Sequence, residues 1–144
     1  MKTGLTLGAL CVIALTGCEL VTEPDDHPPG SRLPTEDFLA WDARRDGPMP
    51  ELEIRGESGR IFIQGGLDTP VPCYRVEGWS RVSDRTVQLS VVASYMGGVC
   101  ITVVGAFGYE AIVRDLTPGT YTVRLTHIIE KRREVVDEAV VVVQ

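Results

Sequence analysis

Two histidines in 144 residues leave little material for acid–base chemistry. His27 sits in a polar, proline-rich stretch, where a solvated linker role is expected. A Ser-His-acid triad would therefore have to use His127. On the strand after Gly119, His127 shares parity with Tyr121, Val123 and Leu125, which predicts a packed, hydrogen-bonded side chain pointing inward. No glycine-rich stretch fits a phosphate loop, since Gly65-Gly66 and Gly97-Gly98 lack the Lys-Ser/Thr and the following helix. No Asp-rich loop has calcium spacing. Asp137 and Glu138 are adjacent on a strand and face opposite ways, so they cannot share a substrate. No helix of core length and no repeat is visible. The expectation is a chain without catalytic residues, metal or cofactor.

Membrane-spanning length is missing too. The apolar run from Leu5 to Leu15, behind the positive Met1-Lys2 start, is of signal-peptide length and too short to cross a bilayer. Excess positive charge is also absent. Residues 19–50 carry eight acidic and three basic side chains, and residues 51–144 carry twelve and ten. A nearly balanced domain is a poor nucleic-acid binder, because that affinity rests on neutralised phosphates.

What is present begins at the end of the apolar run. Leu15-Thr16-Gly17-Cys18 resembles the lipobox of bacterial lipoproteins cut by signal peptidase II. The resemblance implies a signal peptide over 1–17 and a lipid-bearing Cys18 as the first mature residue. Cys11 is no rival, because Leu10 is too large for the position before the cut. The implied address is the bacterial cell envelope, with the membrane as partner through the lipid anchor. Glu19 is not the Asp that retains some lipoproteins in the inner membrane, which points to the outer one. With Cys11 removed and Cys18 lipidated, Cys73 and Cys100 remain, and in an oxidising compartment a disulfide is the default. Chain entropy gives a loop of this size roughly 3–4 kcal/mol of stabilisation. Two thiols with no nearby His pair do not complete a zinc site.

Residues 18–50 read as the lipidated Cys, an acidic proline-rich tether and a short docking segment. Glu19 to Pro34 cannot bury a core. Thr35 to Pro48 is open to two readings. Thr35 could cap a short helix with Phe38 and Trp41 on one face. Alternatively Leu39, Trp41 and Ala43 alternate inward on a first strand. In both, the segment covers an open edge or end of the following domain, or docks elsewhere.

From Glu51 to Gln144 the apolar period is two. Expected strands are Glu51–Arg55, Arg60–Gln64, Cys73–Val82, Thr86–Tyr95, Val99–Val104, Tyr109–Leu116, Thr120–Ile129 and Glu134–Val143, with Gly65-Gly66 and the Asp68-Thr69-Pro70-Val71-Pro72 stretch breaking the sheet. The clearest, Thr86–Tyr95, sends Val87, Leu89, Val91, Ala93 and Tyr95 inward. Seven or eight short strands with turns every eight to twelve residues point to an all-β, antiparallel Greek-key sandwich, Ig-like, over 51–144. Leu116-Thr117-Pro118-Gly119-Thr120-Tyr121 resembles the tyrosine corner of such sandwiches, in which the phenol bonds back to upstream main chain. Immunoglobulin domains carry a cysteine two residues after that Tyr. Here the position is Val123, so the disulfide staples a different pair of strands.

A wider string, Ile63-Gln64-Gly65 through Thr69-Pro70-Val71-Pro72-Cys73-Tyr74, Val99-Cys100, Tyr109-Glu110-Ala111 and the corner to His127, is similar to a set of small bacterial lipoproteins with no assigned function. It implies fold and address and nothing about chemistry. The candidate binding row is Arg75, Glu77, Trp79, Arg81, an outward Trp between arginines, the residue types that carry most interface energy. A bulge at Gly78 would instead turn Trp79 into the core. The resulting expectation is a membrane-anchored, non-catalytic module for an envelope protein or glycan. The alternative is a passive structural subunit of an envelope assembly.

Overall fold

The structure, a computed structural model, describes residues 28–144. Cys11, Cys18 and His27, and with them the signal-peptide and lipobox readings, lie outside those residues. Nine strands follow in order: β1 (Ser31–Arg32), β2 (Phe38–Asp42), β3 (Glu53–Glu57), β4 (Arg60–Thr69), β5 (Tyr74–Ser83), β6 (Thr86–Tyr95), β7 (Gly105–Val113), β8 (Gly119–Ile129) and β9 (Arg132–Val143). No helix occurs among the described residues. A five-stranded sheet, β1-β5-β6-β8-β9, faces a four-stranded one, β2-β7-β4-β3. The all-β sandwich is as expected. Its pairing is antiparallel except for β6 and β8, which run parallel from Thr86↔Thr122 to Ala93↔Ile129.

The core follows from the alternation. Ile61 and Ile63 on β4, Val87, Leu89 and Val91 on β6, and Val123 and Leu125 on β8 are fully buried between the sheets. Each such side chain contributes about 1.5–3 kcal/mol by leaving water. The observed limits of β6 are those expected from its pattern. Its last residue is a correction: Tyr95 is exposed, and its hydroxyl donates to the Gly98 carbonyl at 3.0 Å instead of entering the core.

The sandwich takes in chain before residue 51. Ser31 and Arg32 pair with Ser80 and Trp79, and Phe38–Asp42 pairs with β7 at one edge of the four-stranded sheet. That raises the count to nine. The segment is a strand rather than a helix, and its inward face is opposite to the Leu39/Trp41/Ala43 expectation. Phe38 is buried and Ala40 packs on the core, whereas Leu39 is exposed. The reason lies across the sandwich at Gly78, where a Cβ would sit 2.2 Å from Phe38 Cδ2. Only glycine leaves that ring its place. Trp41 instead lies outside the sheet across Gly108, with Nε1 donating to the Pro48 carbonyl at 3.4 Å.

Gly78 is therefore no bulge. The β5–β6 register runs unbroken from Tyr74↔Tyr95 to Ser83↔Thr86. Gly65 and Gly66 do not break the sheet either: β4 runs through them, because the Tyr109 hydroxyl and the Met49 side chain occupy the space their side chains would need. The expected strand Val99–Val104 is a loop, and β7 starts at Gly105, before the expected Tyr109, and ends at Val113 rather than Leu116. At the corner, Tyr121 is buried and its hydroxyl donates to the Thr117 carbonyl at 3.0 Å. Arg85 closes it from the β5–β6 turn by donating to the Thr117 and Pro118 carbonyls at 3.2 and 3.1 Å.

Candidate binding surfaces

The uninterrupted register of β5 sends Arg75, Glu77, Trp79 and Arg81 to the outer face of the five-stranded sheet. Arg75 and Arg81 are exposed, and Trp79 and Glu77 are half-buried. Arg32 of β1 donates to Glu77 at 2.6 Å, and Arg75 stands 3.9 Å from the same carboxylate. The row is thus partly a β1–β5 clasp. Val92 and Ile128, paired in register on the outward rows of β6 and β8, are buried on this same face. Beside it, a cleft of about 280 Å³ opens between the two sheets, lined in part by Arg32, Leu39, Arg75 and Glu77.

His127 points inward, as its parity predicts. Its Nε2 lies 2.8 Å from the hydroxyl of the fully buried Tyr109, and the two rings meet edge-on. Burial holds the imidazole below its ordinary value of 6.5, against an opposing pull from the Glu134 carboxylate. Burial also pushes the Tyr109 phenol well above its ordinary value. The hydroxyl and Nε2 share one hydrogen bond, whose direction follows the histidine tautomer. The histidine edges a cleft of about 330 Å³ that also holds Asp68, Arg132 and Glu134. Arg132 and Glu134 pair with one another at 3.7 Å. The Tyr109–His127 pair packs across the sandwich, joining β7 to β8.

Cys73 and Cys100 are bonded, with Cα atoms 6.0 Å apart. Their disulfide ties the start of β5 to the middle of the β6–β7 loop, where a further surface lies. Gly97 and Gly98 take φ of +76° and +87°, the region that favours glycine, and turn the chain outward. Met96, Val99, Ile101, Val103 and Val104 are all exposed, Val99 completely at 105%. No charged residue occurs between Arg85 and Glu110. The loop is nevertheless held at several points. Met96 N–H donates to the Cys73 carbonyl, and Val103 N–H to that of Ile101, each at 3.0 Å. A contiguous apolar projection of this kind marks an interaction site more often than a run of scattered single residues does.

That loop escaped the sequence reading because Val99, Ile101 and Val103 alternate like a strand. The available signal was the long uncharged stretch itself, with two consecutive glycines and a cysteine inside it. No protein-family model, curated protein or solved structure matches the chain. Function has to be argued from these surfaces.

Proposed function

We propose that this chain is an envelope lipoprotein anchored through Cys18, and that its sandwich is a non-catalytic recognition domain. The observation that carries the recognition reading is the exposed, uncharged loop around Val99, held out from the sandwich by the Cys73–Cys100 disulfide. A domain with a filled core has no folding use for so many solvent-facing apolar side chains in one loop, and a partner that covers them does. The anchor reading draws on Leu15–Cys18, and Glu19 favours the outer membrane. An immunoglobulin-like Greek-key ancestry belongs to the same proposal. The Tyr121 corner supports it, and the parallel β6–β8 pair and Val123 depart from it. Arg75, Trp79 and Arg81 form a second, more polar surface, suited by its guanidinium groups to a protein or glycan.

The test is photocrosslinking in intact cells of a bacterium that processes lipoproteins. A benzophenone amino acid at position 99 is expected to give an adduct, whereas the same group at Asp84, exposed at the other end of the sandwich, is expected to give none. Absence of any adduct from position 99 would refute recognition by the loop. Release of the Cys18→Ser chain from membranes, with wild type retained, is the expected result for the anchor.

A further inference from the structure

We propose that the tip around Val99 and Ile101 inserts into the surface of the lipid bilayer that carries the Cys18 anchor, so that the domain rests against its own membrane at two points. The inference rests on the reading above and names the occupant of that same loop.

The shape and chemistry of the loop favour lipid over protein. It is convex and fully extended into solvent at Val99, so it fills a partner rather than receiving one. Specific protein interfaces are centred on Trp, Tyr and Arg anchors with about one hydrogen bond per 100–200 Å². From Met96 to Val104 the loop has no aromatic residue, no charge and one polar side chain, Thr102. Such a surface offers few contacts that select one protein over another, so the partner that covers it is the bilayer. Recognition of a protein or glycan falls to the Arg75, Trp79 and Arg81 face. Burying apolar side chains at the boundary of headgroups and acyl chains needs no such selection.

The residues around the tip fit the same arrangement. Tyr95 stands exposed at its base, an amphipathic ring of the type that settles at the headgroup level. Two neighbouring segments reach this end of the sandwich: Ala43 N–H donates to Ala106, and Glu130 N–H to Ala93. They bring exposed Arg44 and Lys131 to the end of the sandwich that carries the loop, with Asp46 and Glu130 among them. The rim is therefore mixed in sign, and apolar contact supplies the attraction.

The tether reaches that end of the sandwich when drawn out nearly straight. Ser31 pairs with Ser80, near the end of β5, so the chain joins the sandwich at the end away from Tyr74 and the loop. Ten residue steps separate Cys18 from Pro28 and extend to about 35 Å. The ten-residue strands β5 and β6 are about 33 Å long. A tether drawn along the sandwich thus lets the tip and the lipid share one leaflet. The tether is then close to full extension, so the apolar contact of the tip has to hold the domain down.

The experiment uses the full chain processed in a lipoprotein-competent bacterium, purified in detergent and returned to vesicles of phosphatidylethanolamine and phosphatidylglycerol with brominated acyl chains. Flotation and intact mass report the anchor. Val99→Trp adds emission to that of Trp41 and Trp79, and at so exposed a position it should leave the melting midpoint unchanged. The expected result is that the added emission is blue-shifted, is lost to bromine quenching and survives high salt. Adding Ile101→Asp is expected to abolish that quenching. Protein that floats while its added emission stays solvent-like and unquenched overturns insertion and leaves the anchor standing. Wild-type protein that carries no acyl mass and does not float overturns the anchor, and the insertion with it.

Discussion

At the scale of single residues, the sandwich is held by a few contacts whose chemistry is easily removed. The Tyr121 hydroxyl gives the Thr117 carbonyl a donor inside the corner, at a side chain only 3% exposed. Tyr121→Phe keeps the ring and deletes that donor; Arg85 still donates to the same carbonyl, so the loss is that of one hydrogen bond, about 0.5–1.5 kcal/mol. Tyr95→Phe is the control. Its hydroxyl also bonds a carbonyl, that of Gly98, but on the surface, where water replaces it. Urea melts should therefore place Tyr121→Phe clearly below Tyr95→Phe, and equal losses would sink the clamp. Gly78 is a second such site. A methyl there meets the Phe38 ring from 2.2 Å, so Gly78→Ala should lower stability by about 1–3 kcal/mol, as overpacking does. Combining it with Phe38→Leu should recover part of that loss. Strict additivity of the two changes would mean that the glycine serves something other than the ring.

At the scale of elements, the disulfide and the loop belong together. Cys73 and Cys100 are 27 positions apart, and their bond restricts the unfolded chain as well as shaping the loop. Replacing both with Ala should lower stability by about 3–4 kcal/mol in melts of otherwise intact protein. It should also speed proteolysis within 96–104, because the loop loses one of its ties to β5. A double variant as stable as wild type would remove the staple from the account. What could be read from sequence divides along the same line. The limits of β6 were legible because an apolar and a polar row alternate along it, with Val92 the one apolar residue in the outward row. The corner was legible because Pro118, Gly119 and Tyr121 act within a few residues of one another. β2 was not, since its inward parity depends on a hole at Gly78, forty positions away and in the other sheet. Val99–Val104 has strand alternation but no strand to pair with, and local pattern carries no information about partners. The parallel β6–β8 pair is hidden for the same reason. Of the candidate site, the outward row of β5 was readable, whereas its clasp by Arg32 and the projecting loop were not.

At the scale of the whole molecule, stability is tied to pH through a small number of groups, because charge in the sandwich is nearly balanced and most ion pairs lie on the surface, where each contributes about 0–1 kcal/mol. His127 is the group with a defined sign. Burial holds its pKa below the ordinary 6.5, while in the unfolded chain it regains that value. Above 6.5 both states are neutral at this residue and stability does not depend on it. As pH falls through 6.5, the unfolded chain takes up a proton that the folded one still refuses, so stability drops until the folded pKa is reached. Glu57 acts lower down. Hydrogen bonds from Arg55 and Arg60 hold its carboxyl below the ordinary 4.5, so its contribution is present above 4.5 and is lost as pH falls further. That pair network is exposed and screened, and the later loss is the smaller one per group. Urea midpoints of the wild-type domain should therefore fall between pH 6.5 and 4.5, above the window in which Glu57 loses its contribution. His127→Gln removes the titration and keeps a polar partner for the Tyr109 hydroxyl, so its midpoint should stay level across that interval. Both proteins should then decline together below 4.5. Parallel curves throughout would show that the imidazole gains its proton as readily in the folded sandwich as in the unfolded chain, and would overturn the role given to its burial against Tyr109.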